Sequence, residues 1–188
     1  MNAVSLKRAQ KSLRLSHSPR HPAVFLATCA WIGHLPVVGR STHLGSFGMS
    51  LLTPFLLWPV LTQYGITAAL LVLVVVNFLG TWALQWVEKD GIPEDHDARA
   101  VVVDEFLGAG LASLMLPYLW AHFHLSSLPE MASAALIVGL VFRIFDITKL
   151  PPANWVDISW HHPYSVIADD LIAGLQTMLV LGAFCLII

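Results

Sequence analysis

Charged residues are scarce in this sequence. Of its 188 residues, 12% are Asp, Glu, Lys or Arg and 56% are hydrophobic, and the mean hydropathy is +0.70. A soluble domain is typically about one-quarter charged. The composition therefore argues against a soluble globular domain. It predicts an all-α fold, a polytopic integral membrane bundle of helices, because helices satisfy their own backbone hydrogen bonds in lipid.

Cysteines and processing signals are also scarce. Cys29 and Cys185 both lie inside apolar runs without Cys-x-x-Cys spacing, which argues against a disulfide framework and a cysteine zinc site. The N-terminal segment is basic and serine-rich, and no small-residue cleavage site follows its first apolar run, so it is not typical of a signal peptide. We predict a basic cytoplasmic tail at residues 1–22, near anionic headgroups, and a membrane-embedded domain at residues 23–188.

The apolar residues fall into six stretches, at residues 23–38, 47–62, 66–86, 105–121, 131–146 and 166–188. A span needs roughly 20 residues, so the shorter stretches require their flanks or local thinning of the bilayer. We predict that the last five stretches cross the membrane and that 23–38 is re-entrant or interfacial. This topology places all ten lysines and arginines on one side, which the positive-inside rule makes cytoplasmic.

Two acidic pairs stand where apolar runs begin. Asp104 and Glu105 directly precede the run FLGAGLASLMLPYLW, and Asp169 and Asp170 directly precede the run LIAGLQTMLVLGAFCLII. We expect each pair in the first turn of a helix, at the cytoplasmic surface. Ionisable groups at membrane depth are costly and are kept mainly for function or pairing. Carboxylate oxygens are the hard ligands that magnesium prefers, so the pairs indicate a divalent metal site.

A third apolar run ends in Arg143, Asp146 and Lys149. Arg143 and Asp146 are three residues apart and share a helical face, with Lys149 just beyond the helix end. Guanidinium and ammonium groups both bind phosphate. Gly108 and Gly174 lie one turn beyond the acidic pairs, where a glycine lets a second helix approach closely. The pattern predicts an anion site beside the metal site.

Simpler interpretations exist for each residue alone. A carboxylate in a first turn is commonly a cap, Arg143 with Asp146 can be a helical ion pair, and Lys149 can be a membrane anchor. The convergence of three helix ends on one membrane face instead favours a shared metal and anion site. A proton-coupled transporter would distribute its acids through the bilayer midplane. The sequence also has no Cys-x5-Arg, DxDxT or Walker lysine motif, which argues against the other phosphate chemistries that use those motifs.

Three segments carry a family resemblance: VVVDEFLGAGLASLMLP, FRIFDITKLPP and ADDLIAG. In this order they resemble the bacterial phosphatidylglycerophosphatase A family, as do the earlier LGSFG segment with Gly45 and Ser46 and the spacing from Asp97 to Asp104. The resemblance covers most of residues 30–180. It implies a magnesium-dependent phosphomonoesterase of the bacterial inner membrane, with a cytoplasmic active site, that converts phosphatidylglycerophosphate to phosphatidylglycerol.

The resemblance also implies roles for individual residues. The implied metal ligands are Asp97, Asp104, Glu105, Asp146, Asp169 and Asp170. The implied catalytic residues are Asp104, Glu105, Asp169 and Asp170, and the implied phosphate ligands are Arg143, Lys149 and Ser46. The alternatives are a phosphatase for another membrane phosphomonoester, and a non-catalytic or transport membrane protein that uses the same acidic cluster. No nucleic-acid partner is expected.

The sequence departs from the family pattern in its loops. Residues 41–46 read STHLGS where the family reads PGT-x-GS, Leu150 replaces a proline after the lysine, and residues 162–165 read HPYS in place of a glycine-rich segment. Glycine lets backbone approach a phosphate closely. Since the acids and cations are kept, we expect retained phosphatase chemistry with an altered headgroup pocket.

Overall fold

The computed structural model describes residues 21–35, 37–38, 42–89, 101–160 and 164–188. Residues 1–20 of the predicted tail, and Asp97, lie outside the described residues. The helices are α1 (Pro22–Ala27), α2 (Leu44–Lys89), α3 (Val103–Ser113), α4 (Leu116–His122), α5 (Leu128–Thr148), α6 (Ala153–Ser159) and α7 (Ser165–Ile187). A 3-10 turn at Ile32–His34 and the two-residue antiparallel strands Val37–Val38 and Thr42–His43 precede α2. The predicted helical fold class is confirmed.

Three segments of the described chain are long and apolar enough to cross a membrane. They are Leu44–Trp86, Leu128–Thr148 and Ser165–Ile187. The predicted count of five spans goes beyond this finding and stays a prediction. The 105–121 stretch is divided between α3 and α4 at Leu114 and Met115, and neither piece alone reaches the roughly 20 residues of a span.

The first part of the described chain does not form a spanning helix. Helix α1 has six residues and rises only about 9 Å, far less than the roughly 30 Å of a bilayer core. Its N-cap is His21, whose Nδ1 accepts a hydrogen bond from the backbone N–H of Ala23 at 3.2 Å. Its end is attached to the beginning of α3, because the N–H of Val102 donates to the carbonyl of Ala27 at 2.9 Å.

Helix α2 contains a break at Gly65. This residue has φ 76° and ψ −176°, a conformation that favours glycine because a side chain would clash with the backbone. The break falls between the predicted stretches 47–62 and 66–86. Pro54 and Pro59 lie within the first part of the helix.

Helix α5 begins with a capping box. The Ser127 hydroxyl accepts from the N–H of Glu130 at 3.4 Å, while the Glu130 carboxylate accepts from the N–H of Ser127 at 3.0 Å. This arrangement satisfies two backbone donors that a helix start otherwise leaves unpaired. Lys149 caps the other end of the helix, so Glu130 and Lys149 are separated by almost the whole of α5, about 28 Å.

Helix α3 packs against α7, α2 and α5, and two glycines permit its close crossing with α7. A Cβ on Gly108 would lie 2.5 Å from the carbonyl oxygen of Asp170, and a Cβ on Gly174 would collide with the carbonyl oxygen of Gly108. No side chain fits at either position without displacing backbone. The predicted close approach at these glycines is confirmed, and it brings the two acidic pairs toward each other.

Candidate active site

Three buried carboxylates converge at the crossing of α3 and α7. Asp104 and Glu105 lie in the first turn of α3, as predicted. Asp169 and Asp170 lie in the second turn of α7, because that helix already begins at Ser165, so the prediction of a first-turn position was wrong for this pair. Asp104, Glu105 and Asp170 are 8%, 8% and 5% exposed, and one oxygen of each lies within 4.8 Å of the others.

The Glu105 carboxylate is fixed at one oxygen. The Ser46 hydroxyl, in the first turn of α2, donates a hydrogen bond to Glu105 Oε1. Arg143 Nη1 lies 3.8 Å from that same oxygen. The second oxygen, Oε2, is buried and has no hydrogen-bond partner among the residues that the structure describes. Because a buried charged oxygen without a partner is costly, Oε2 is suited to another ligand.

Arg143 joins two acids on different helices. Its Nη1 lies 2.5 Å from Asp146 Oδ2, one turn along α5, in addition to its approach to Glu105 on α3. The ion pair with Asp146 within α5 is therefore only one of the two acidic contacts that Arg143 makes. Its guanidinium lies at the edge of the acidic cluster, where it can bind an anion bidentately.

Lys149 reaches from the end of α5 to α7. Its ammonium forms an ion pair with Asp169 Oδ2, next in sequence to Asp170. The side chains of Lys149 and Asp169 are 21% and 5% exposed. A lysine that only anchored α5 in the interface would extend toward water. Lys149 instead contacts the segment of α7 that carries the acids.

Cys29 lies beside the cluster but does not supply a nucleophile. Burial first, and then the negative charges of Asp104 and Glu105, raise the pKa of its thiol to about 12. The thiol lies 3.7 Å from the carbonyl oxygen of Val102 and is oriented to donate to it. Since the thiolate is the reactive form of cysteine, this residue stays a neutral thiol at neutral pH.

The charges of the cluster fit a bound cation. The described site contains five carboxylates, those of Asp104, Glu105, Asp146, Asp169 and Asp170, and two cations, Arg143 and Lys149. Buried carboxylates in such proximity repel one another, and a cation relieves that repulsion. The ligands offered are all oxygen, the set chosen by hard divalent ions. Asp104, Glu105 and Asp170 can therefore hold a metal ion.

Comparison with known sequences then decides the family. The family model described as Phosphatidylglycerophosphatase A matches residues 25–185. The chain belongs to this family. It is also 27% identical over 147 residues to phosphatidylglycerophosphatase A from Escherichia coli (strain K12), which covers 75% of this chain and 76% of that protein. No solved structure matches the chain. Membership of this family supports a phosphatase, and confirms the resemblance drawn from the three motif segments.

The three family segments supply most of the site. Direct contacts and the acidic cluster bring together six of the predicted site residues that the structure describes: Ser46, Asp104, Glu105, Arg143, Asp146 and Asp170. The other two, Lys149 and Asp169, form an ion pair with each other. Asp97, the remaining predicted ligand, lies outside the described residues. Within the altered segment 41–46, residues 44–46 begin α2, where Ser46 contacts Glu105.

Gln176 is a contact residue that the sequence prediction missed. Its Nε2 donates to the carbonyl oxygens of Leu150 and Pro151, at 3.1 and 2.9 Å, in the loop that follows Lys149. The available signal was its position: a polar amide inside an otherwise apolar run, seven residues after Asp169 and so on the same helical face.

Replacing Ser46 by alanine tests its contact with Glu105. We expect Ser46→Ala to weaken divalent-metal binding about tenfold or more, since partners that orient a ligating carboxylate typically contribute that much. Ser50→Ala is the matched control, because the Ser50 hydroxyl donates to the Ser46 carbonyl within α2 at 3.0 Å. The measurement is the metal-dependent rise in melting temperature without substrate. Unchanged metal binding in Ser46→Ala would contradict a role for Ser46 in orienting Glu105, and phosphate binding would be its remaining predicted role.

Proposed function

We propose that this protein is a magnesium-dependent phosphatase that hydrolyses phosphatidylglycerophosphate to phosphatidylglycerol and inorganic phosphate. The observation that supports the proposal most strongly is the buried carboxylate cluster, in which Glu105 Oε2 has no hydrogen-bond partner among the described residues, with two cations beside it in a chain of this family. The oxygen of a water molecule forms a new bond to phosphorus as the P–O bond to glycerol breaks, and the released glycerol oxygen takes a proton.

Asp104, Glu105 and Asp170 would hold the magnesium ion, with Asp97, Asp146 and Asp169 as further candidate ligands. Bound magnesium supplies polarisation of the phosphate and a more acidic water. Arg143 and Lys149 neutralise the charge that gathers on the phosphoryl oxygens. Ser46 fixes the orientation of Glu105 and lies near enough to the cluster to bind phosphate as well.

Two routes for the attack are consistent with this arrangement. In the direct route a carboxylate of the cluster takes the proton from the attacking water. In the covalent route the oxygen of an aspartate attacks phosphorus and displaces the glycerol oxygen, and water then cleaves the aspartyl-phosphate. Asp104, Glu105, Asp169 and Asp170 are the catalytic candidates for the direct route, and Asp104, Asp169 and Asp170 are those for the covalent route.

The proposed topology has five spans in the bacterial inner membrane. Gly65 would separate two spans within α2, and α3 with α4 would cross together. Residues 1–22 form the basic tail, residues 23–188 form the membrane domain, and α1 stays at the interface. The cations of the loops then share one side, which the positive-inside rule makes cytoplasmic. The acidic cluster faces the same side, where it meets the lipid headgroup.

The test is phosphate release by the purified protein in detergent from a panel of substrates, with EDTA or with added magnesium. We expect magnesium-dependent release from phosphatidylglycerophosphate and little from phosphatidic acid or glycerol 3-phosphate. Preferred release from another lipid phosphomonoester would keep the chemistry and change the substrate. Metal binding without release from any of them would favour a non-catalytic protein.

A further inference from the structure

The loop after α5 holds Lys149 in an unusual conformation. Lys149 has φ 45° and ψ 55°, the left-handed region that residues with a side chain adopt rarely because Cβ approaches the following carbonyl. Its backbone N–H donates to the carbonyl of Phe145 at 2.8 Å. A turn of this kind persists when contacts outside the turn hold the chain on either side of it.

Gln176 supplies such contacts. Its single amide nitrogen donates to two consecutive carbonyls of the loop, those of Leu150 and Pro151. An amide has two N–H donors, so one glutamine can bind both carbonyls at once. Asp169, which pairs with Lys149, lies two turns earlier on the same face of α7, about 10 Å along its axis. The loop is therefore attached to α7 at two points.

We propose that Gln176 is a positioning residue for Lys149. Because Gln176 binds the carbonyls of the two residues that follow Lys149, it fixes the position of the Lys149 backbone relative to α7. The ammonium then meets Asp169 beside the acidic cluster, and its approach to the phosphate is set in advance. The expected effect on turnover rests on the proposed phosphatase function, while the effect on Lys149 itself does not.

The first experiment measures Lys149 directly and needs no catalysis. The chemical modification is reductive methylation of the purified protein in detergent, followed by peptide mass spectrometry of the fragment that contains Lys149. The variant is Gln176→Met, which keeps length and removes both donors. The matched control is Thr177→Val, since the Thr177 hydroxyl donates within α7, to the carbonyl of Ala173 at 2.9 Å.

We expect Lys149 to be methylated roughly fivefold to tenfold faster in Gln176→Met, because the two hydrogen bonds that hold the loop after Lys149 against α7 are lost. Thr177→Val should react like the unchanged protein. Equal methylation rates in all three proteins would overturn the proposal. This experiment decides the matter even if no phosphatase activity is found.

The second experiment asks whether Gln176 acts through Lys149 in turnover. We expect Gln176→Met to lower kcat/KM for phosphatidylglycerophosphate about tenfold. In a Lys149→Met background the same change should alter kcat/KM less than about twofold, because coupled residues are not additive. The same reduction in both backgrounds would contradict a role through Lys149. No release by the unchanged protein would refute the proposed function and leave the methylation result standing.

Discussion

Replacing Asp170 by asparagine is expected to lower the rate of phosphate release by more than about 100-fold. Residues that only support a metal ligand typically contribute 10- to 100-fold, and Asp170 offers one of the three clustered oxygens. Asparagine keeps the shape of the side chain and removes its charge. The measurement is kcat with phosphatidylglycerophosphate at saturating magnesium, in the same detergent for both proteins.

The Asp170→Asn variant should fold well, so its loss of activity can be attributed to the site and not to unfolding. Removing one of several buried negative charges relieves repulsion, so we expect the metal-free melting temperature of Asp170→Asn to equal or exceed that of the unchanged protein. Magnesium should raise the melting temperature of the unchanged protein only, since a ligand stabilises the state that binds it.

Glu130→Gln is the matched control for Asp170→Asn. Glu130 lies at the opposite end of α5 from Lys149, and glutamine can keep the capping box with Ser127. Its turnover should remain within about twofold of the unchanged protein, as is usual for surface changes away from a site. Equal turnover in Asp170→Asn and Glu130→Gln would exclude Asp170 from the reaction.

Gly108→Ala has the second largest expected effect. The new Cβ would lie 2.5 Å from the Asp170 carbonyl oxygen and 2.5 Å from Phe142 Cε2, so α3 and α7 must move apart. Overpacking of this kind typically costs about 1–3 kcal/mol. Activity should decrease by about 100-fold, because a 1 Å misplacement of reacting groups can have that effect. The measurements are melting temperature and phosphate release.

Gly182→Ala on α7 is the matched control for Gly108→Ala. There the nearest atom to the new Cβ is Met115 Cε at 3.9 Å, so the side chain fits. Alanine is the better helix former by about 1 kcal/mol, and the melting temperature should stay the same or rise. If Gly108→Ala behaved like Gly182→Ala, the glycine crossing would not be what positions the acids.

Local features of the fold were predictable from the sequence. Arg143 and Asp146 are three residues apart in a helical run, and their ion pair follows from that spacing alone. A close helix approach at Gly108 and at Gly174 was also predictable, because small residues near the acidic pairs indicate where a second helix can pack. Both inferences use neighbours within one turn of a helix.

Contacts between distant segments were not predictable. Ser46 and Glu105 are 59 residues apart, and Lys149 and Asp169 are 20 apart, so their pairing depends on how the helices pack. Helix α6 was also missed, because its seven residues follow two prolines within what the hydropathy pattern indicates is a loop. The early start of α7 at Ser165 moved Asp169 and Asp170 from the first turn to the second, since hydropathy locates an apolar run and not its helical boundary.

The most direct test of the proposed metal site is restoration of activity by magnesium. The protein is stripped with EDTA in detergent, magnesium or calcium is added back, and phosphatidylglycerol formed from phosphatidylglycerophosphate is measured by mass spectrometry. We expect almost no product after stripping, and full recovery with magnesium but not with calcium, which takes more ligands at longer distances. Undiminished formation of phosphatidylglycerol by the stripped protein would contradict a metal role for the buried carboxylates.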